Sequence, residues 1–170
     1  MSRCVWAILA ILLVLSTTSP VSAVSLVPPS YHASSYIASY YQGKAEFMTE
    51  EMRSLIQQAA QAWMAGDADA FASLFVTNGE FIVPGNRWVG QAEIRKAAAD
   101  FASTHSEVKI SIRRIMIEAN QAVVEWHWQD KENATNCRTQ ADDAIVVDFK
   151  DGQISRWREY IDTQTPSCKL

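Results

Sequence analysis

Two strand-like runs near the C-terminus constrain the fold most. Ala144-Ile145-Val146-Val147-Asp148-Phe149-Lys150 and Gln153-Ile154-Ser155-Arg156-Trp157-Arg158-Glu159-Tyr160-Ile161-Asp162 are separated only by Asp151-Gly152. Asp-Gly supplies the positive φ angles that a two-residue hairpin needs, so the chain must carry an antiparallel pair here. Side chains of a strand alternate between faces. Trp157, Glu159 and Ile161 therefore share one face, and Arg156, Arg158, Tyr160 and Asp162 share the other. A carboxylate between an aromatic and an aliphatic neighbour is an acid/base candidate if that face lines a pocket. If it does not, Glu159 is a strand carboxylate paired with an arginine.

The rest of the chain is organised around this sheet. Thr49 can cap a helix, with Glu50 and Glu51 in its first turn, where the helix dipole favours negative charge. Met52, Leu55, Ile56, Ala59 and Trp63 then recur at helical spacing. Gly66 ends that helix and Asp67 caps a short second one carrying Phe71, Leu74 and Phe75. Asn78-Gly79 reads as a turn. Residues 80–83 read as a short strand stopped by Pro84-Gly85. A third helix over 91–103 turns Ile94, Ala97, Ala98 and Phe101 inward. From Val108 onward the pattern is strand. Val108, Ile110 and Ile112 alternate, Arg113-Arg114 breaks the phase, and Ile115 and Ile117 resume it, the signature of a bulge that bends a sheet. Asn120-Gln121 turns into a strand over 122–129, and a polar loop over 130–139 leads to the final hairpin. The expected architecture is α+β: a cone of three N-terminal helices packed on a curved, mostly antiparallel sheet, with an apolar interior suited to a ligand.

With 170 residues, 48% hydrophobic and 20% charged, the chain has enough apolar surface for one domain with a core. Its beginning is of a different kind. Arg3 precedes an unbroken apolar run over residues 5–15, too short to span a bilayer comfortably, and Val21-Ser22-Ala23 offers small residues for cleavage. Residues 1–23 read as a signal peptide cut after Ala23, which exports the protein to the periplasm or exterior and leaves no stable membrane span. An uncleaved anchor is the alternative. A start at Met48 would instead leave the domain cytoplasmic. Residues 24–47, rich in Ser, Tyr, Pro and Ala, read as a linker in which Pro28-Pro29 blocks a helix. The domain spans 48–163 and 164–170 form a tail.

Charge excludes some partners. The net charge is −4, and removing Arg3 with the leader leaves 14 basic against 19 acidic residues, net −5. Nothing here attracts nucleic acid or anionic lipid. Two cysteines, Cys137 and Cys168, remain after cleavage. They could pair in an exported protein, or stand as separate thiols in a loop and a tail. Asn133-Ala134-Thr135 matches a glycosylation sequon.

Several segments together resemble a known family. Residues 65–71 (Ala-Gly-Asp-Ala-Asp-Ala-Phe) with Leu74-Phe75, then Phe81-Ile82-Val83-Pro84-Gly85, Gly90 before a helix, Asp151-Gly152-Gln153-Ile154 and Trp157-Arg158-Glu159-Tyr160-Ile161-Asp162 look like the SnoaL-like branch of the nuclear-transport-factor-2-like superfamily. The resemblance covers residues 48–163 and implies the α+β cone. The family holds polyketide cyclases, ketosteroid isomerase, scytalone dehydratase, limonene epoxide hydrolase and non-enzymatic binding domains, so it does not by itself give a function. The last strand is similar to that of limonene epoxide hydrolase, and Glu159 falls on the position of its water-activating base. The hydrolase's Arg and Asp, two apart on the strand before the final hairpin, are matched by Trp126 and Trp128, and the water-orienting polar residues of its first strand by Phe81, Ile82 and Val83. The resemblance thus implies no epoxide hydrolysis by that route and leaves open a proton transfer that needs one base.

The candidate site follows from these residues. Glu159 is the candidate catalytic acid or base. Trp63, Phe81, Trp88, Trp126, Trp128 and Trp157 are candidate ligand-binding residues, because flat rings with indole N–H donors suit an aromatic or polycyclic molecule. The same rings could equally be core. His127 falls opposite Trp126 and Trp128, beside Glu125, and reads as a surface histidine. No spacing points to a metal, and His32 and His105 have no sequence partners for one; no motif calls for a cofactor or binds phosphate. The expected partner is a small hydrophobic molecule, bound with or without cofactor-independent acid/base chemistry of isomerase, cyclase or lyase type. The alternative is a non-catalytic binding or interaction domain that forms a homodimer through its outer sheet face. An open cone with Glu159 in its wall favours the first, and a cone filled by Trp126, Trp128 and Trp157 favours the second.

Overall fold

The computed structural model describes residues 30–164 and 167–168. The expected leader over 1–23, its cleavage point and Pro28-Pro29 lie outside the described residues. No helix among those described is long and apolar enough to cross a membrane.

Three helices precede most of the sheet: α1 (Ser30–Ala65), α2 (Ala68–Ser73) and α3 (Gln91–Thr104). Within α1, Met52, Ile56, Ala59, Ala60 and Trp63 bury one face, as their spacing predicts. The segment expected as a linker is helical from Ser30 onward, and its side chains are exposed over residues 35–47. Thr49 therefore caps nothing: it lies inside the helix, its hydroxyl donating to the Ala45 carbonyl at 2.9 Å. Between Ser30 and Thr49 there is no proline and Gly43 is the weakest helix former, and extending an anchored helix adds a hydrogen bond for each residue fixed. Asp67 does cap α2, accepting from the Ala70 N–H at 2.8 Å.

The strands are β1 (Phe75–Val83), β2 (Asn86–Val89), β3 (His105–Glu118), β4 (Gln121–Glu132), β5 (Cys137–Lys150), β6 (Gln153–Thr163) and β7 (Ser167–Cys168). Their order is β2-β1-β6-β5-β4-β3, with β7 added beside β5. The β1–β6 pairing is parallel and the others are antiparallel. Asp151 and Gly152 form the expected hairpin tip, with φ of 52° and 75°, and Phe149 faces Ile154 across it. Two turns differ from expectation. Asn78-Gly79 lies inside β1, which slips register against β6 between Phe75 and Glu80 and so absorbs those residues without reversing. The turn after β3 is Ala119-Asn120, one residue earlier than expected, with Ala119 at φ 51°. The missed strand β2 folds back on β1 around Pro84-Gly85.

The sheet bends where its register slips. One slip falls between Ile112 and Arg114, at the expected phase break, and another between Asp148 and Phe149. The second leaves Ser155 as an extra residue on β6, so Ile154 and Trp157 both point inward. The core lies on the concave face, where Phe75, Val124, Trp126, Ile145, Val147 and Trp157 of the sheet are fully buried beneath the helices and against Phe71 of α2. Each such burial contributes about 1.5–3 kcal/mol. Cys137 and Cys168 stand opposite each other on β5 and β7 and are joined as a disulfide.

Candidate functional site

Period-two alternation places the site on three neighbouring strands. On β4, residues 122, 124, 126, 128 and 130 face inward; on β5, residues 141, 143, 145, 147 and 149 do the same. Trp126 pairs with Asp143, Ile145 with Glu159 and Asp143 with Ile161. Asp143 and Glu159 are thus diagonal neighbours on the concave face, next to the tryptophans of β4. Between this pair and the Gly152 hairpin the face is filled by Ile145, Val147, Ile154 and Trp157, with a recess of about 220 Å³ beside Met52 and Phe149 at the hairpin itself. Toward the opposite end of β5 and β6 it opens.

The opening is a cavity of about 310 Å³. Trp63 of α1, Phe81 of β1, Trp88 of β2, Phe101 of α3 and Trp128 of β4 supply its rings, with Asp130, Asp143 and Glu159 among the remaining wall residues. Phe81 and Trp88 stack with centroids 5.3 Å apart, while Trp63 meets Phe101 and Trp128 edge-on at 5.5 and 5.7 Å. His105, the first residue of β3, lies flat on Phe101 at 4.1 Å and also reaches the cavity. The rings therefore hold each other rigidly and present both faces and edges to the space between them.

Each wall carboxyl is held by an indole. Trp126 Nε1 donates to Asp143 Oδ2 at 2.6 Å, Trp128 Nε1 to Asp130 Oδ1 at 2.9 Å, and Trp157 Nε1 to Glu159 Oε1 at 2.7 Å. Asp143 Oδ1 and Asp130 Oδ2 are buried without a hydrogen-bond partner, although His105 Nε2 stands 3.8 Å from the latter. Burial pushes the Glu159 carboxyl up from 4.5 to about 8; the Trp157 hydrogen bond opposes this and the Asp143 charge adds to it. Asp143 is also raised, by burial first, against the Trp126 hydrogen bond, with Asp142 adding to the rise and His127 opposing it. Glu159 is therefore mostly protonated at neutral pH. It can give a proton to a bound molecule and take one back near its own pKa, the condition for acid/base catalysis.

The expected ring residues divide into two groups. Trp63, Phe81, Trp88 and Trp128 line the cavity together with Glu159. Trp126 and Trp157 do not: at 1% and 0% exposure they lie behind the wall, in the core. They act on the site through their N–H groups, which orient Asp143 and Glu159. Trp126, Trp128 and Trp157 thus leave the cone open. His127 is half-buried on the outer face, bonded to Asp142 at 2.9 Å.

Sequence reasoning passed over Asp130, Asp143 and His105. Two of them were legible. Asp143 is in phase with Ile145 and Val147, and Asp130 with Trp126 and Trp128, so each interrupts an otherwise apolar inward series. His105 gave no such signal, because its place in the wall depends on how α3 hands over to β3. Among the described residues, no group of three or more His, Cys, Asp or Glu side chains is arranged to hold a metal ion.

Known proteins agree with this architecture. A hypothetical protein with a ketosteroid isomerase-like fold from Catenulispora acidiphila, solved in complex with trimethylamine, superposes with a TM-score of 0.60 at 16% identity, covering 62% of this chain and 83% of its own. An epoxide hydrolase from M. tuberculosis, similar to limonene epoxide hydrolase, gives 0.59 at 20%, covering 67% and 84%. A protein of unknown function similar to nuclear transport factor 2, from Burkholderia xenovorans, gives 0.54 at 20%, also covering 67% and 84%. At these identities the likeness is one of fold. No curated protein matches. The model of the SnoaL-like domain matches residues 56–157, which run from the buried face of α1 to the inward tryptophan of β6, and the chain belongs to that family.

Proposed function

We propose that the protein binds a small, largely hydrophobic molecule in the aromatic cavity and moves a proton on it with Glu159, as an isomerase, cyclase or lyase does. One observation carries this reading: a ring-lined cavity with a protonatable carboxyl in its wall, raised to about 8 and held by a neutral donor instead of a cation. A structural carboxylate on this strand would be paired with Arg156 or Arg158, which point to the other face. In the acid form Glu159 protonates a substrate oxygen or carbon. The resulting carboxylate then removes a proton from a neighbouring position, so the enzyme ends as it began. The trimethylamine held by the Catenulispora relative supports small-molecule binding in this fold. Export belongs to the same proposal and is supported by the Cys137–Cys168 disulfide, which suits an oxidising compartment.

The test begins with an uncharged aromatic probe. 2-Naphthol should quench tryptophan fluorescence saturably, and Ala97→Phe, which fills the cavity from α3, should abolish that binding. Absence of saturable binding to the wild type overturns the cavity reading. Once native mass spectrometry of the exported protein has identified a retained substrate, Glu159→Gln should lower turnover by about two orders of magnitude or more while the fold survives. Unchanged turnover removes the catalytic role.

A further inference from the structure

The cavity wall is unbalanced in charge and in hydrogen bonding. Its polar groups are three carboxyls, two threonine hydroxyls, one imidazole and the indole N–H groups of Trp63, Trp88 and Trp128, that of Trp63 buried without a hydrogen-bond partner, and no Lys or Arg is among the described residues that line it. The indole donors of Trp126, Trp128 and Trp157 are already committed, one to each carboxyl. Asp130 and Asp143, at 3% and 6% exposure, each keep a buried oxygen without a hydrogen-bond partner, and Glu159 Oε2 accepts no hydrogen bond from the described residues. Buried acceptors left unmatched cost free energy that a donor from a ligand recovers. Around them stand Trp63, Phe81, Trp88, Phe101 and Trp128, whose ring faces are negative.

We infer that the molecule bound here is an organic ammonium ion, with its N–H directed to the Glu159 and Asp143 carboxyls and its alkyl or aryl groups held by the surrounding rings. This rests on the cavity being a binding site and names the class of its ligand. Acceptors and π-faces together are the complement of a protonated amine and a poor match to an anion, which would meet three acids. A bare metal ion is disfavoured because the carboxyls do not converge as a ligand set among the described residues. The absence of a facing cation is also why burial raises Glu159 and Asp143; an ammonium supplies the missing charge, so Glu159, mostly protonated without it, releases its proton to solvent as the ammonium binds.

The full chain is titrated at neutral pH with 2-(dimethylamino)ethanol, which is protonated there, and with its uncharged carbon isostere 3-methylbutan-1-ol. Heat and tryptophan fluorescence are followed. The two probes share shape and hydroxyl and differ in charge. The amine should bind about tenfold or more tightly than the alcohol. Glu159→Gln with Asp143→Asn should bring the two affinities together. Glu159→Gln alone, expected to narrow the gap, serves if the double variant does not fold. Equal binding of the two probes to the wild type, a preference that survives the substitutions, or binding of neither overturns the inference. Saturable binding of 2-naphthol in the same preparation then shows that the cavity reading stands, and its absence shows that both fall.

Discussion

A carboxyl group that meets an indole N–H and no cation is easier to keep protonated than to ionise, and this has a consequence for stability at Glu159. The unfolded chain releases this proton near 4.5, while the folded chain holds it to about 8. Below the first value both states are protonated, and the group contributes its full share to the fold. As pH rises between the two values the unfolded state gains, so that share is progressively lost; above about 8 the loss is complete and constant. Gln keeps the acceptor for Trp157 and cannot ionise. Denaturant unfolding of Glu159→Gln and wild type should therefore diverge from pH 4.5 to 8, the variant gaining about 2 kcal/mol or more relative to the wild type. Parallel stability profiles would show that Glu159 ionises freely. The same logic makes the tryptophans behind the wall functional without touching ligand. Trp126→Phe removes the one hydrogen bond of a buried Asp143 and should cost about 1–3 kcal/mol.

At the scale of elements, the final hairpin holds the site in register. A slip of one residue would move Trp157, Glu159 and Ile161 to the outer face. Gly152 has φ 75°, and a Cβ built on it would meet nothing within 4 Å. Gly152→Val therefore tests backbone strain without steric conflict. It should destabilise by about 1 kcal/mol or more by thermal or denaturant unfolding, and no loss would argue against the tight turn. The slip at Ser155 matters as much, since it puts Ile154 and Trp157 on the same face and sets the phase of Glu159. Ahead of the body, the exposed half of α1 shows that a helix can run on where the sequence reads as a linker, because nothing between Ser30 and Thr49 stops it.

At the scale of the molecule, the disulfide ties the tail strand β7 to the start of β5, at the end of the strand away from the Gly152 hairpin. Cys137 and Cys168 lie 31 residues apart in sequence, and a cross-link over such a span stabilises by about 3–4 kcal/mol in the chain-entropy view. Exported protein should show no free thiol from this pair under non-reducing conditions. Reduction, or Cys137→Ser with Cys168→Ser, should lower the unfolding midpoint. Free thiols in the native protein would count against both the pair and export.

The periodicities of the chain determined the α+β class, the buried face of α1, the bulge after Ile112, the final hairpin and the inward position of Glu159, because helix and strand repeats are local properties that register burial directly. Alternation also held Asp130 and Asp143, in phase with their apolar neighbours. What only the tertiary structure decided is which of the inward rings meet empty space. Trp126, Trp128 and Trp157 are equivalent by alternation, yet only Trp128 lines the cavity, because Phe71 of α2 and the buried face of α1 fill the cone around Trp157 and leave it open beside Trp128. Whether a buried side chain is core or wall depends on volume contributed by segments distant in sequence, and no local repeat records that.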